Sequence, residues 1–383
     1  MTARPSLLIL SFSPIRSDPR VLKQVQLFTP HYDVTTCGYG DAPDGVVEHI
    51  EIPREARAWV DDKVGIATRQ YKRAYWNTQA VKDAVPKLAG RSFDGVLAND
   101  LNAVPLALSL DAKHGVHGDL HEFAPKEKDD DLTWRLTVAP YMRWLCRTYL
   151  PRLRSITTVA RGIADRYESD YGVKVGVVTN AAPYADRTPQ EVHAPIRLIH
   201  SAAGQRYRKL ENFIELMKDA PSNVTLDMIV MPNEPDYVAE LKEQGRGVPG
   251  LTFRDPVPYD RLVETLAEYD VSMTFLPPTN FNLAHALPNK FFEAVQARLG
   301  LIIGPSPEMA SILGEYGLGE VVPDFSVASL RTVVAQLTPE KVAGWKQAAD
   351  RAAKDLSAEE QQSEWVRAIA ELFAAPATAT GTA

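Results

Sequence analysis

The segment from Pro288 to Ala294 contains the residues whose types and spacing most clearly indicate chemistry. Pro288 suits the first position of a helix, where its missing N–H group costs no hydrogen bond. Asn289 and Glu293 are four residues apart, which puts both side chains on one face of that helix. A helix N-terminus with Asn289 and Lys290 can hold a phosphate, and a carboxylate about one turn further along can accept hydrogen bonds from two ribose hydroxyls. The segment therefore predicts a site for a nucleoside diphosphate.

Strands and helices alternate along the chain, which predicts parallel, doubly wound sheets of the α/β class. Because parallel sheets bind ligands beyond the carboxyl ends of their strands, we expect two Rossmann-like domains that face each other across a cleft. The strands predicted in the first half lie at 7–12, 32–36, 95–98, 156–159 and 175–178. Those predicted in the second half lie at 196–200, 224–230, 251–253, 271–275 and 301–303.

A polar stretch with three prolines, at 181–195, interrupts this alternation as a linker should. We therefore predict an N-terminal domain over residues 1–185 and a C-terminal domain over residues 195–356. A helix over 357–374 is expected to pack back on the first domain. The low-complexity tail at 375–383 is expected to be disordered.

Composition limits the functional class. The 383 residues are 45% hydrophobic and 24% charged, which is typical of a globular protein in water. The formal net charge of −7 argues against nucleic acid as a partner. Cys37 and Cys146 are far apart, which excludes a disulfide framework and is typical of a reducing compartment. Because the apolar N-terminal stretch is too short to span a membrane, we predict a cytoplasmic protein.

Four segments of the chain are characteristic of one protein family. They are PNKFFEA at 288–294, SDPRVLKQVQLF at 17–28, DLHEFAPKE at 119–127 and IHSAAGQRYRKLENFIELM at 199–217. These segments resemble the large retaining family of GT-B glycosyltransferases, the group 1 or family 4 enzymes, and in outline the resemblance extends over nearly the whole chain. The resemblance implies a nucleotide-sugar donor held mainly by the second domain, an acceptor held mainly by the first, and no required metal or other cofactor.

The resemblance assigns donor-site roles to residues of the second half. It places Glu293 on the donor ribose, with Asn289 and Lys290 beside it. It also implies basic residues on the donor diphosphate after the first strand of the second domain. The basic candidates are Arg208 and Lys209 as catalytic residues and Arg206 as an alternate, and the remaining donor-site candidates are Gly204, Asn282 and His285.

One of these positions departs from the family pattern. Relatives usually have a Glu eight residues before the ribose-binding Glu, in an E-x7-E arrangement, and this chain has His285 there. The upstream Glu commonly lies beside the donor sugar, so the contacts to the sugar are expected to differ.

The first half contains the expected acceptor site. The family often has a His at the end of a first-domain strand, near the transferring sugar. His121 matches that position best and is therefore a catalytic candidate. Arg16 and Arg20 follow the first strand, where either could contact the acceptor. Asp100 and Glu122, at strand ends, complete the acceptor-binding set.

Two patterns are compatible with a metal site, but each has a better interpretation. His114, His117 and His121 have helical spacing, yet glycines interrupt them, and a strand followed by a loop would scatter the rings. The run 129–131 contains a DxD motif within a charged, solvated loop rather than at the end of an apolar strand. We therefore predict no metal.

The stretch from Trp134 to Arg154 contains five arginines and no acidic residue. It could lie on an anionic membrane, bind the diphosphate of a lipid-linked acceptor, or form an ordinary helix with its arginines in water. Pro140 and Pro151 are expected to limit any one helix there to about three turns. Membrane contact would place the protein at the inner face of a membrane.

These features predict a metal-independent glycosyltransferase of the hexosyltransferase type, with retention at the anomeric carbon and UDP as the expected nucleotide. The acceptor is expected to be a saccharide or a lipid-linked molecule in cell-envelope polysaccharide or glycoconjugate synthesis. One alternative is a nucleotide-sugar epimerase, which needs acid–base residues on both faces of the sugar. Another is a catalytically silent nucleotide-sugar-binding partner, which the missing upstream Glu supports.

Overall fold

The computed structural model describes residues 4–374, which form two compact units. Of the described residues, the first unit contains those up to Val178, the short segment Asn280–Asn282 and those from Ser363 to Ala374. The second unit contains Thr179–Thr279 and Leu283–Gln362. The tail predicted to be disordered, 375–383, lies outside the described residues.

The first unit is built on a seven-stranded parallel sheet. Its strands are β1 (Ser6–Pro14), β2 (Asp33–Tyr39), β3 (Glu48–Ile52), β4 (Gly95–Asn99), β5 (Val116–Leu120), β6 (Ser155–Thr158) and β7 (Gly176–Val177). They are arranged in the order β3-β2-β1-β4-β5-β6-β7, so the chain reverses direction across the sheet beside β1. This reversal brings the carboxyl ends of β1 and β4 together, where open α/β sheets bind ligands.

Helices flank this sheet, and the first of them shows how local sequence fixes an element. The helices are α1 (Pro19–Phe28), α2 (Lys63–Ala67), α3 (Tyr71–Trp76), α4 (Gln79–Leu88), α5 (Val104–Leu108), α6 (Leu132–Tyr149) and α7 (Arg161–Tyr171). The side chain of Asp18 caps α1 by accepting hydrogen bonds from the backbone N–H groups of Arg20 and Val21. Pro19 occupies the first helical position, where its lack of an N–H group costs nothing.

The prediction that Pro140 limits the basic stretch to short helices is wrong. Helix α6 runs for 18 residues with Pro140 inside it. An internal proline costs a helix about 3 kcal/mol. Burial of the apolar face of α6, which includes Trp134, Tyr141, Met142 and Leu145, outweighs that cost. The five arginines of the stretch remain exposed.

The second unit is built on a six-stranded parallel sheet. Its strands are β8 (Ile196–Ala203), β9 (Val224–Met231), β10 (Leu251–Arg254), β11 (Val271–Thr274), β12 (Gly300–Ile303) and β13 (Gly319–Val321). They are arranged in the order β10-β9-β8-β11-β12-β13. Both units therefore have the doubly wound order, and the predicted fold of two Rossmann-like domains is confirmed.

The helices that follow the linker are α8 (Glu211–Lys218), α9 (Pro235–Gln244), α10 (Tyr259–Leu266), α11 (Phe281–Ala284), α12 (Asn289–Gln296), α13 (Pro307–Tyr316), α14 (Val327–Ala335), α15 (Pro339–Ala352), α16 (Ala358–Gln361) and α17 (Ser363–Ala374). Pro288 is the N-cap of α12, one position earlier than expected. Helix α17 belongs to the first unit, where Trp365 and Ile369 are buried in its core. Across residues 4–374, no helix has both the length and the apolar composition that a bilayer span requires.

Candidate functional site

In the first unit, a cavity of about 370 Å³ opens at the carboxyl ends of β1, β4 and β5. Its lining combines carboxylates, an imidazole and aromatic rings, including Trp59, Asp100, His121, Glu122 and Glu127. Polar groups that can orient a ligand therefore lie beside apolar surfaces that can pack against it. The sequence-predicted residues His121, Asp100 and Glu122 are brought together here.

His121 is held between two carboxylates. Its Nδ1 lies 3.3 Å from Asp100 Oδ2, and its Nε2 lies 3.5 Å from Asp119 Oδ2 and 3.2 Å from Asn99 Oδ1. Burial alone would lower the pKa of His121, but the charges of Asp100 and Asp119 outweigh it, so the pKa is raised. The ring therefore favours its cationic form at the edge of the cavity.

Asp119 is a completely buried carboxylate that orients this histidine. Arg20 binds it through two hydrogen bonds, from Nε to Oδ2 at 2.7 Å and from Nη2 to Oδ1 at 2.8 Å. Gln24 donates at 2.8 Å and Thr157 at 2.7 Å. Burial would raise the pKa of Asp119, but the charge of Arg20 and the hydrogen bonds with His121 and Arg20 hold it well below its usual range. These interactions favour the ionised form of Asp119.

Arg20 is one of the predicted acceptor contacts, and the structure gives it a different environment. It is 7% exposed, and its Nη1 donates to the carbonyl of Val178 at 2.8 Å. Helix α17 contributes to the same network, since Trp365 Nε1 lies 3.3 Å from Asp119 Oδ1. Arg20 and Trp365 therefore position His121 through Asp119. Arg16, the other predicted contact, is exposed in the turn before α1.

Glu127 is a member of the cavity that the sequence did not reveal. It lies in a run of charged residues that predicts a solvated loop, yet it is half-buried. Burial, together with the nearby charges of Glu122 and Asp100, raises the pKa of Glu127 to about 7. Glu122 accepts a hydrogen bond at 3.1 Å from Asn282. Asn282, a predicted donor-site residue, thereby packs with the first unit.

In the second unit, Gly204 begins the loop that carries the predicted basic residues. A Cβ atom at this position would lie 2.4 Å from Val238 Cγ2 and 2.5 Å from the carbonyl of Met231. Glycine is therefore required for the loop to pass this close to β9. The next residues form a short 3₁₀ turn, Arg206–Arg208, which ends with Lys209 in the left-handed conformation at φ 50°.

The basic residues of this loop have different environments. Arg206 is exposed and forms an ion pair with Glu240 at 2.6 Å. Lys209 is exposed, whereas Arg208 is half-buried and contacts Gln205 at 3.3 Å. Of the three, Arg208 is the one whose charge acts on Lys290 in α12.

The start of α12 brings three of the predicted donor-site residues together. Lys290 Nζ donates to the carbonyl of Ser201, at the end of β8, at 2.7 Å. Burial and the charge of Arg208 lower the pKa of Lys290 to about 8, although the charge of Glu293 opposes that shift. Glu293 is 5% exposed, one turn after Asn289. Two cations and a carboxylate are thus grouped at a helix N-terminus.

His200 lies on β8 near this group, and sequence reasoning missed it. Its Nδ1 donates to the carbonyl of Met273 at 2.7 Å, and its ring stacks on Phe213 at 3.9 Å. Burial and the charge of Lys290 lower the pKa of His200 to about 3, so the ring is neutral. Its Nε2 is then an unprotonated acceptor that is buried without a hydrogen bond among the described residues. A single His within a mostly apolar strand does not indicate such a buried acceptor from sequence.

His285, which replaces the family's upstream Glu, is paired with a carboxylate from elsewhere in the second unit. Its Nδ1 lies 2.8 Å from Oε1 of Glu308, in the first turn of α13. Glu308 is 8% exposed. The pair forms because the loop before α13 returns to α11, where Ser306 Oγ donates to the carbonyl of Ala284 at 3.1 Å.

The histidines that could suggest a metal do not converge. His117 is fully buried and contacts the hydroxyls of Ser155 at 2.8 Å and Thr157 at 3.0 Å. Within residues 4–374, no group of three or more His, Cys, Asp or Glu side chains is arranged to hold a metal ion. Asp131 of the DxD run instead caps α6, by accepting from the backbone N–H groups of Thr133 and Trp134.

Comparison with known proteins identifies the fold. The sequence matches no protein-family model and no curated protein. Sucrose-phosphate synthase from Thermosynechococcus elongatus is similar with a TM-score of 0.67, 11% identity, and 97% of this chain and 100% of that chain covered. HepE from Anabaena in complex with UDP-glucose is similar with a TM-score of 0.65 and 11% identity, with 96% of this chain and 100% of that chain covered. WaaG, a glycosyltransferase involved in lipopolysaccharide biosynthesis, is similar with a TM-score of 0.61 and 13% identity, with 93% of this chain and 99% of that chain covered.

These similarities, together with the two parallel sheets, define the class: the chain has the GT-B fold, as predicted. Because the identities are only 11–13%, these similarities establish the fold of the chain but not its activity. The activity must be argued from the residues.

Replacing Asp100 with Asn should lower the pKa of His121, because it removes one of the two charges that stabilise the imidazolium. The histidine would then lose its proton at a lower pH than in the unmodified protein. NMR titration of the histidine ring signals measures this, with His121→Gln to assign the resonance. Asp130→Asn, an exposed neutralisation in the same unit, is the matched control. An unchanged titration in Asp100→Asn would contradict the geometry described.

Proposed function

We propose that the protein is a glycosyltransferase that moves a sugar from a nucleotide-sugar donor, with UDP as the expected nucleotide, to a saccharide acceptor. The observation that carries the proposal is the grouping of Arg208, Lys290 and Glu293 at the start of α12. A nucleoside diphosphate offers two phosphates to the cations and two ribose hydroxyls to the carboxylate. The structures of the similar protein HepE contain UDP-glucose, UDP, or UDP and glucose, which supports this donor class.

The electrostatics of this group favour an anionic ligand. Lys290 and Arg208 act on each other as like charges, and burial adds to the cost of the Lys290 ammonium, as its lowered pKa indicates. A diphosphate would relieve both effects. Each hydrogen bond from a charged donor to phosphate contributes about 1.5–3 kcal/mol. The N–H groups at the start of α12 would add the favourable end of the helix dipole.

The same groups can serve the reaction itself. When the bond between the anomeric carbon and the phosphate oxygen breaks, negative charge develops on the departing diphosphate. Arg208, Lys209 and Lys290 are assigned to stabilise that charge, and a well-placed donor of this kind is worth a factor of about 10²–10³ in rate. We assign retention of configuration, with the leaving phosphate accepting the proton of the acceptor hydroxyl.

The acceptor is assigned to the cavity of the first unit. Asp100, Glu122 and Glu127 can accept hydrogen bonds from sugar hydroxyls, and Trp59 offers an apolar ring face. His121 is assigned as the catalytic cation of this cavity, and Arg16 as a contact at its exposed side. Arg20 is assigned to position His121 through Asp119, with which it forms a hydrogen bond, rather than to touch the acceptor. The setting in cell-envelope polysaccharide or glycoconjugate synthesis remains part of this proposal.

Replacing Glu293 with Ala should weaken UDP binding about 10- to 100-fold, because the ribose hydroxyls lose a charged acceptor worth about 1.5–3 kcal/mol. Isothermal titration calorimetry with UDP measures the change. Glu243→Ala, an exposed carboxylate on α9, is the control and should leave the affinity unchanged. Because Glu293 is buried, Glu293→Gln keeps its shape and checks that any loss is not caused by misfolding. Equal UDP affinity in all three variants would remove the donor site from the proposal.

Sugar transfer should survive chelation, since Arg208 and Lys290 can meet the diphosphate charge that a metal would otherwise neutralise. The assay follows release of UDP from a UDP-sugar with a saccharide acceptor, before and after treatment with EDTA. Loss of activity that Mg²⁺ restores would overturn metal independence. Release of UDP and incorporation of the sugar also separate this function from an epimerase, which alters the sugar without acceptor, and from a silent binder, which turns over nothing.

Glu127 should make stability depend on pH. Its pKa is raised to about 7 in the folded protein, so the folded state binds more protons than the unfolded state between about pH 4.5 and 7. The contribution of Glu127 to folding stability is therefore fully present below about pH 4.5 and is lost as the pH rises to about 7. Glu127→Gln should melt about 2–4 °C higher at pH 8, roughly 1 kcal/mol after allowance for solvent screening, with little difference at pH 4.5. Parallel melting curves across this range would contradict the environment of Glu127.

A further inference from the structure

Two segments of the first unit carry a charge opposite to that of the whole chain. Residues 63–76 contain four Lys or Arg and no Asp or Glu, and residues 132–154 contain five Arg and no Asp or Glu. Since the chain has a net charge of −7, the remaining residues carry −16. A concentration of nine cations in a protein of this kind is a local electrostatic feature that attracts an anionic partner.

The fold places these two segments side by side. Residues of both line an open groove of about 590 Å³, with mostly apolar side chains that include Val60, Ile66, Leu136 and Pro140. A second groove, of about 600 Å³, adjoins the first through Arg69 and Tyr71, which line both. Its other lining residues include Lys72, Arg73, Trp76 and Trp144. An apolar groove thus continues into a basic and aromatic one.

Large apolar side chains at or next to the apolar groove are exposed to solvent. Leu136 is 71% exposed, Val64 is 60% exposed and Leu132 is 59% exposed. Leu136 lines the groove, and Val64 and Leu132 are next in sequence to its lining residues Lys63 and Thr133. Single exposed apolar residues are ordinary, but three at or next to an apolar groove form a surface of the kind that binds a partner. We name this region, formed by α2, α3 and the exposed face of α6 with both grooves, the basic–apolar face.

We propose that the basic–apolar face binds the surface of a lipid bilayer that contains anionic phospholipid. Leu132, Leu136 and Val64 would enter the acyl boundary, and a lipid chain would occupy the apolar groove. The lipid phosphates would lie on Arg69, Lys72 and the exposed arginines of α6. The apolar face of α6 is buried in the protein, so α6 would meet the interface with its exposed face, which carries these leucines and arginines.

The chemistry favours this occupant over other anionic partners. A nucleic acid would use the cations but would have no group to fill an apolar groove. A peptide whose side chains are acidic and polar would leave the same groove unfilled. An anionic phospholipid has both a charged headgroup and a hydrocarbon chain, and it matches both halves of the face. This inference does not depend on sugar transfer, because none of its named contacts is assigned to the donor or acceptor site.

Sedimentation of the full chain with vesicles tests the proposal. Vesicles of phosphatidylcholine with 30% phosphatidylglycerol, at about 0.1 M salt, should bind the protein, and pure phosphatidylcholine should bind it much more weakly. The double variant Arg69→Gln, Lys72→Gln should lower the partition coefficient about 30-fold, given about 1 kcal/mol for each cation near such a surface. The double variant Leu132→Asn, Leu136→Asn should lower it about 10-fold or more.

A matched pair of cations in the second unit provides the control. Lys242→Gln, Arg246→Gln changes the net charge equally at exposed positions and should alter vesicle binding less than about twofold. UDP affinity, measured on the same preparations, should be the same in every variant, so failure of the donor site and failure of the face are distinguishable. Equal binding of all variants, or no preference for anionic vesicles, would overturn the proposal. Binding of a fluorescent RNA oligonucleotide that the Arg69 and Lys72 changes abolish, with no vesicle binding, would reassign the face to nucleic acid.

Discussion

The buried carboxylate of Asp119 is the interaction on which the first unit depends. A carboxylate without solvent contact is tolerated only when its charge and lone pairs are satisfied, since desolvation costs several kcal/mol. Asp119 meets this condition with donors from α1, β6 and α17, through Arg20, Gln24, Thr157 and Trp365. Helices α1 and α17, which are far apart in sequence, therefore both contact the Asp119 carboxylate. Removing the carboxylate would deprive the buried Arg20 of this ion pair, which typically costs about 3–5 kcal/mol.

The same carboxylate also connects stability with chemistry. Asp119 lies within 3.5 Å of His121 and, together with Asp100, keeps the imidazole cationic at the cavity. Because Asp119 is itself fixed by several hydrogen bonds, the histidine has one favoured orientation rather than several. The remote residue Trp365 thereby contributes to the geometry of the site without touching it. A network that is satisfied in full is rigid, and for the catalytic role proposed for His121 such rigidity would lower the cost of organising the group during reaction.

The start of α12 in the second unit shows the opposite condition, since two buried polar atoms close to it have no hydrogen-bond partner among residues 4–374. Lys290 is buried near a like charge, and its lowered pKa shows that the carboxylate of Glu293 does not fully compensate. Close by, the lone pair of His200 Nε2 and the hydroxyl of Thr274 have no hydrogen-bond partner in residues 4–374. Proteins place such violations of local stability at functional sites, where a ligand supplies the missing partner. An anion bound at the start of α12 would correct the excess of positive charge.

The sequence predicts the parts of this protein that depend on local pattern. Fully buried parallel strands are continuous apolar runs, so β1, β4, β8 and β12 are evident, and the spacing of Asn289 and Glu293 marks the start of α12. Strand β3 escapes prediction because its sequence, EHIEI, is mostly polar. Pro140 misleads because local propensity opposes a helix that tertiary burial stabilises. In the site, Glu127 and Arg20 cannot be assigned from sequence, because burial and the Asp119 partner arise only in the fold.

Charged residues are unevenly distributed over the structure, which the net charge of −7 does not show. The cavity of the first unit is rich in carboxylates, and the start of α12 is cationic. The basic–apolar face is cationic with an apolar centre. Each of these regions has the character that the ligand assigned to it requires: hydrogen-bond acceptors for the hydroxyls of a sugar, cations for a diphosphate, and cations with apolar surface for an anionic lipid. Since carboxylates repel phosphate, the proposed acceptor cavity would disfavour anionic ligands, and specificity would then arise from repulsion as well as attraction.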